Sequence, residues 1–189
     1  GTGEGETEIT LLNSDTGLKA HVRVSVGPAT RRYRALLVGE ENYPFKPNGT
    51  RTGSANSVNA IAQLLGTVPF EDAVYQVRSE TDLSRAELIA AIRESFSGAA
   101  AQDVSLLYIT CHGSYSGDMS FLELSDGSTL SARDLERELR RIPGRIALFI
   151  DCCGSVGAIG ASSDLSALAQ GITGAFSSAI RGSRYVVLC

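Results

Sequence analysis

Only two histidines, His21 and His112, and four cysteines occur among 189 residues. Any chemistry that needs an imidazole must therefore choose between two positions. The cysteines stand at 111, 152, 153 and 189, one pair adjacent and none spaced like the disulfide framework of a small secreted domain. They are read as reduced thiols, with Cys111 and Cys189 as buried ones. No Lys/Arg block stands out and the formal net charge is -4, so the basic footprint of a nucleic-acid or anionic-membrane partner is missing. No apolar stretch approaches the roughly 20 residues that span a bilayer. The opening Gly-Thr-Gly-Glu-Gly-Glu does not read as a signal peptide, which leaves the compartment open. What is present is globular in kind: 43% hydrophobic and 20% charged residues, enough for one domain with a short appendage.

The appendage comes first. Glu8 to Leu12, a turn at Asn13-Ser14-Asp15-Thr16-Gly17, and Leu18 to Val26 with alternating His21, Arg23 and Ser25 predict a β-hairpin. It resembles the end of a bacterial Ig-like surface module, which favours a secreted or cell-surface bacterial setting. Residues 1–30 are set apart on this basis from a domain over 31–189. His21 falls on a polar strand face with no chemistry.

From Arg34 onward strands and helices alternate. Ala35 to Gly39 predicts a buried strand, and Glu41 to Thr52, rich in turn residues, a loop. Ser54 is read as the N-cap of a helix burying Val58, Ile61, Ala62 and Leu65. Val74 to Val77 predicts a second strand. Ser84 with Glu87 forms a capping box opening a helix that buries Leu88, Ile89, Ile92 and Phe96. Val104 to Thr110 predicts a third strand running into Cys111-His112-Gly113. Phe121 to Leu130 reads as a small hairpin, and Ser131 with Asp134 as the start of a helix through Leu135 and Leu139. Arg145 to Ile150 predicts a fourth strand ending at Asp151-Cys152-Cys153, and Ser183 to Leu188 a fifth. The pattern implies an α/β fold, a mainly parallel sheet covered on both faces, with sites at the carboxyl ends of its strands.

Two motifs fall at such ends. A thiol attacks as thiolate, and an imidazole can take its proton and return it to a leaving amine. His112 ends one strand and Cys153 another, and the hairpin and helix between them supply one crossover that sets the two strands side by side. Gly113 lets backbone approach substrate, and its N–H with that of Cys153 forms a candidate oxyanion hole. Two other chemistries fit the residues less well. Cys111, His112, Cys152 and Cys153 are zinc-ligand types, but adjacent strand residues face opposite ways and no C-x-x-C occurs. Gly154, Gly157 and Gly160 lack the G-x-G-x-x-G spacing of a dinucleotide loop. No metal and no cofactor follow from the residues.

Thr110-Cys111-His112-Gly113-Ser114 and Ile150-Asp151-Cys152-Cys153-Gly154-Ser155 resemble the His-Gly and Asp-x-Cys motifs of the caspase-like clan of cysteine peptidases (clan CD), which includes caspases, metacaspases, clostripains and legumains. The resemblance runs from about residue 33 to 189. It takes in Leu83-Ser84-Arg85, similar to a Thr-Arg segment of metacaspases. It implies a three-layer α-β-α sandwich and a Cys-His dyad of Cys153 and His112. Cys152 is the alternative nucleophile, and strand alternation lets only one of the pair face the cleft.

The resemblance also bears on specificity. Asp151 stands where metacaspases and clostripains carry a pocket Asp that pairs with a basic P1 side chain, and a buried carboxylate favours Arg by bidentate pairing. Two departures complicate this. Asn56-Ser57 stands where metacaspases have Asn-Asp, and Arg51-Thr52-Gly53 resembles the caspase segment whose Arg binds acidic P1. Arg or Lys at P1 is expected, with Arg51 as the rival account. Residues 154–182, rich in Gly, Ser and Ala, read as a loop with one helical stretch near Leu165 to Leu168. Cleavage there, with Arg181 and Arg184 as basic candidates, would activate a zymogen. The family sheet continues beyond what is seen here, so a second chain from processing or a missing C-terminal part is expected. Partners are protein or peptide substrates, and calcium activation, a property of some relatives, is not readable from the residues. The competing functions are a catalytically silent caspase-like scaffold of a bacterial surface protein, and an adhesion protein in which the Ig-like part matters most.

Overall fold

A computed structural model describes residues 5–12, 17, 19–26, 30–46, 49–70, 73–116, 119–154, 170–176 and 184–188. The chain divides into two compact units, residues 1–30 and 31–189. In the first, β1 (Gly5–Leu12) pairs antiparallel with β2 (Lys19–Val26), with Thr10 opposite His21.

The second unit is built on a seven-stranded, mostly parallel sheet. Its strands are β3 (Tyr33–Gly39), β4 (Gln76–Thr81), β5 (Val104–Ser116), β6 (Met119–Glu123), β7 (Thr129–Ser131), β8 (Arg145–Gly154) and β9 (Tyr185–Leu188). β3 pairs with β4 and β5, β5 with β8, and β8 with β9, all parallel. β6 and β7 join antiparallel beyond the end of β3. Along β5, residues 112 and 113 pair with both β6 and β8, so β6 occupies the edge that β3 vacates.

Alternation along the strands makes the sheet two-faced. Leu36, Val38, Leu107, Ile109, Leu148 and Ile150 face a larger core closed by α2 (Arg85–Ser95), α3 (Ala132–Leu139) and α4 (170–176), the last contributing Ile172 and Phe176. Ala35, Leu37, Leu106 and Tyr108 face a smaller core with Val58 of α1 (Ser54–Thr67). The result is the expected α-β-α sandwich.

Local signals account for most element starts. Ser84 and Glu87 cap α2 reciprocally, and Ser131 accepts from the Asp134 amide at α3. α1 differs from expectation. Its N-cap is Gly53 in the left-handed region (φ 103°), Ser54 lies buried inside the first turn, and Glu41 caps from outside by accepting the Ala55 amide at 3.0 Å. Of the four apolar residues expected inside, Val58 is fully buried and Ile61, Ala62 and Leu65 are half-buried. β4 lies later than Val74–Val77 because it is an edge strand whose Arg78 and Glu80 break the apolar pattern. β5 runs past Thr110 to Ser116, so His112 sits inside a strand rather than at its end. β9 begins at Tyr185, and the helix expected near Leu165–Leu168 lies outside the described residues.

A buried carboxylate ties these layers together. Glu40, fully buried just beyond β3, accepts the Leu83 amide at 3.1 Å and the Ser125 amide at 3.0 Å. Burial outweighs these hydrogen bonds and raises its carboxyl to about 7. A folded pKa above the unfolded one means the native state holds the proton longer. The associated stability is full below about 4.5 and is lost as pH rises through about 7. Urea unfolding at pH 5 and pH 8 is expected to show that loss, on the order of 3 kcal/mol at most, at about 1.4 kcal/mol per pH unit. Glu40→Gln should flatten the dependence, and an unchanged slope in that variant would contradict the assignment.

Candidate active site

The site is assembled on β5 and β8, where the parallel register sets Thr110 opposite Asp151, Cys111 opposite Cys152, and His112 opposite Cys153. Cys111 is fully buried, and burial pushes its thiol well above the usual range. Cys152 packs half-buried against the same larger core. Gly113, buried, lies opposite Leu122 on β6 and Gly154 on β8.

His112 is held by the loop that follows β3. Its Nε2 lies 3.1 Å from the Gly49 carbonyl, and its backbone N–H donates to the Tyr43 hydroxyl at 2.9 Å. A carbonyl only accepts, so this contact makes Nε2 the protonated nitrogen and leaves the Nδ1 lone pair as the base. The Tyr43 ring packs 4.5 Å from the imidazole, and its hydroxyl donates to the Glu123 carbonyl at 3.1 Å. Burial pushes that phenol well up, so it stays a neutral hydrogen-bonding bridge.

The loop is itself fastened. Lys46 forms an ion pair with Glu123, the residue opposite His112 on β6. Burial pushes the Glu123 carboxyl up, but Lys46, Ser114 and the His112 imidazole more than offset this, and it titrates below its ordinary range. The Lys46 amide donates to the Tyr43 carbonyl and the Gly49 amide to the Lys46 carbonyl, each at 3.0 Å. Gly49 has no room for a side chain: a Cβ there would lie 2.5 Å from Lys46 Cβ and 2.8 Å from the Tyr43 carbonyl oxygen.

Arg51 and Asp151, rivals for one role in the sequence, are partners in the structure. Arg51 Nη2 donates to Asp151 Oδ1 at 3.2 Å, and Nη1 donates to the Asp151 carbonyl at 3.1 Å and to Thr110 Oγ1. Asp151 Oδ2 accepts from Thr110 Oγ1 at 3.0 Å and from the Tyr108 hydroxyl at 3.3 Å. The Asp151 side chain is 52% exposed and that of Arg51 18%. The buried carboxylate expected from the sequence is thus a solvated one, already neutralised from below.

Sequence reasoning missed Tyr43, Lys46, Gly49 and Glu123. The one available signal was Gly49 inside a loop that leads off a strand end. Gly49→Ala should displace the carbonyl and free Nε2–H for exchange. With only two histidines, a 15N–1H spectrum of His21→Asn protein isolates the His112 ring. Loss of its Nε2–H signal is expected in Gly49→Ala but not in Gly66→Ala, where a Cβ meets nothing within 4 Å. A signal kept in both would refute the holding role.

Comparison with known proteins agrees with this architecture. The family model described as Caspase domain matches residues 32–181. No curated protein matches significantly. A solved protein from Geobacter sulfurreducens is 18% identical with a TM-score of 0.54, over 81% of this chain and 66% of that one. Caspase-1 from Spodoptera frugiperda is 17% identical with a TM-score of 0.54, over 70% and 53%. The Drosophila initiator caspase Dronc is 14% identical with a TM-score of 0.52, over 61% and 46%. The chain spans about half the length of these two insect caspases, and the likeness is one of fold. It belongs to the caspase domain family, a family of cysteine peptidases.

Proposed function

We propose that the chain is a cysteine endopeptidase in which Cys153 is the nucleophile and His112 its acid–base partner. The observation that carries this reading is the β5–β8 register, which sets the two residues opposite each other on adjacent strands. Cys152 is taken up by the larger core, which leaves Cys153 as the member of the pair for the cleft.

His112 Nδ1 takes the thiol proton, and the thiolate adds to the scissile carbonyl carbon. The oxyanion is received by the N–H groups of Gly113 and Cys153. Collapse breaks the C–N bond, and the imidazolium gives its proton to the leaving amine. Water, deprotonated by His112, then cleaves the thioester and restores the thiol.

The primary pocket is read at Asp151. A carboxylate offers about four acceptor sites, of which Thr110, Tyr108 and Arg51 use three. A basic P1 side chain adds to the exposed side without expelling Arg51, whereas an acidic one must break the Arg51–Asp151 pair. Arg or Lys at P1 follows, with a gain near the 0.2–1 kcal/mol of exposed pairs, well below that of a buried one. We propose activation by cleavage beyond the nucleophile at Arg181, which lies outside the described residues. Arg184 is engaged with the carbonyls of Gly144 and Arg140 at 2.9 and 3.2 Å.

An acyloxymethyl-ketone probe with Arg at P1, read by mass spectrometry, is expected to label wild type and Cys152→Ala but not Cys153→Ala. His112→Ala should reduce turnover by roughly 10²–10⁴-fold, and His21→Ala should change it little. Labelling that survives loss of Cys153 would sink the assignment. Arg51 tests the pocket separately. Arg51→Gln leaves Asp151 unopposed and should raise kcat/KM for Arg at P1 about fivefold, the effect of roughly 1 kcal/mol. Cleavage after Asp that disappears with Arg51 would reverse the specificity.

A further inference from the structure

A pocket of about 140 Å³ is lined by Glu123, the residue opposite His112 on β6, and so lies on the β6 side of β5, the side away from β8 and Cys153. Tyr43, Phe45, Leu124, Gly127 and Thr129 line it, and Lys46 with Glu123 closes one wall. Those two charges neutralise each other, so the pocket presents apolar surface with no net charge. Its volume is close to the roughly 150 Å³ of an apolar cavity that accepts benzene. Phe45 is 73% exposed at its rim, although an aromatic side chain gains most from being covered. Tyr43 lines the pocket and its ring also packs, tilted, 4.5 Å from the imidazole, so a single side chain links the pocket to His112.

We propose that this pocket receives the side chain of the substrate residue that follows the scissile bond, and that it selects Leu, Met or Phe there. The proposal rests on the peptidase reading, in which His112 protonates the leaving amine. The scissile carbon bonds to Cys153 on the β8 side, and the amine must depart toward the imidazole. The chain beyond it therefore passes over the edge where β6 replaces β3, and the first side chain after the bond meets Tyr43 and Phe45. An apolar side chain fills the pocket and covers Phe45. A charged one enters a space whose fixed charges already have partners, and glycine leaves the space unfilled.

Internally quenched peptides with Gly, Asp, Leu, Met or Phe at P1′, in one series with Arg and one with Asp at P1, test this on the full chain. Expected is a kcat/KM about tenfold or more higher for Leu, Met and Phe than for Gly or Asp, the scale of discrimination of a small apolar pocket. Thr129→Arg, which fills the pocket from its exposed rim, and Phe45→Ala should bring the Leu-to-Gly ratio toward one. Both residues are exposed, so the fold is not at risk. Equal rates across the set, or a ratio that survives both substitutions, would overturn the subsite. Absence of any cleavage by the wild type would instead count against the peptidase reading. The subsite is then decided by fluorescence anisotropy of the same peptides on Cys153→Ala protein. Tenfold tighter binding of Leu over Gly, lost in the Thr129→Arg double variant, supports it, and equal binding overturns it.

Discussion

Ten residues of β5 lie opposite ten of β8, from Val104 and Arg145 to Gly113 and Gly154. A slip of β8 by one residue would turn Leu148 and Ile150 out of the larger core that β5 helps to build, so apolar burial forbids it. A slip of two keeps every face and would still part His112 from Cys153 by roughly 7 Å. What prevents that slip lies at the other end of the strands. The Arg145 amide donates to the Asp103 carbonyl at 3.0 Å. Gly144, in the left-handed region, passes so close that a Cβ would lie 2.4 Å from that carbonyl oxygen. The nearly buried Asp103 carboxylate is in turn fixed by Arg32 and the Ala100 amide. The alignment of the candidate dyad is thus set by a turn at the opposite pole of the sheet, and the Thr110–Asp151 hydrogen bond repeats the constraint near the site.

The second dependence is on the loop after β3. Its residues are fixed one after another: Glu40 to Leu83 and Ser125, the Glu41 and Asn42 amides to Asp82, Tyr43 to Glu123, Lys46 to Glu123, Arg51 to Asp151. The partners come from the β4–α2 connection, β6, the β6–β7 turn and β8, so the loop is positioned by the assembled domain and not by its own sequence. This explains how a segment without regular structure can present the Gly49 carbonyl to an imidazole within hydrogen-bond distance. It also shows what the buried Glu40 does in return for its desolvation: it joins the start of α2 and the β6–β7 turn at a single point.

The parts that were legible before the structure share one property, that their determinants are local. Ser84 with Glu87 and Ser131 with Asp134 predicted two helix starts, and the apolar runs from Ala35 to Gly39 and along Arg145 to Ile150 predicted strands. Even the placing of β5 beside β8, which sets His112 opposite Cys153, followed from local signals, since one crossover between consecutive parallel strands has few outcomes. What escaped detection depends on distant partners. The Glu41 carboxylate replaces the cap that Ser54 was expected to supply, and Lys46 meets Glu123 across 77 positions. Arg51 and Asp151, 100 positions apart, each resembled a specificity residue, and two resemblances gave no hint that one would neutralise the other.

That neutralisation is asymmetric, and the asymmetry has a chemical consequence. Arg51 is largely covered and spends its donors on Thr110, the Asp151 carbonyl and the Asp151 carboxylate. Asp151 leaves half its surface to solvent. An approaching side chain therefore meets a carboxylate edge first, with the guanidinium behind it. Bringing a second carboxylate there adds repulsion from Asp151 before any donor of Arg51 comes within reach, and exclusion of this kind shapes specificity as much as attraction does. A cation meets no such barrier, but it finds a carboxylate whose charge is already partly spent. Such a pocket discriminates by sign more strongly than it binds. On the proposed reading, affinity for substrate comes from surface contacted outside it, and the apolar pocket lined by Tyr43, whose ring packs against His112, offers such a surface.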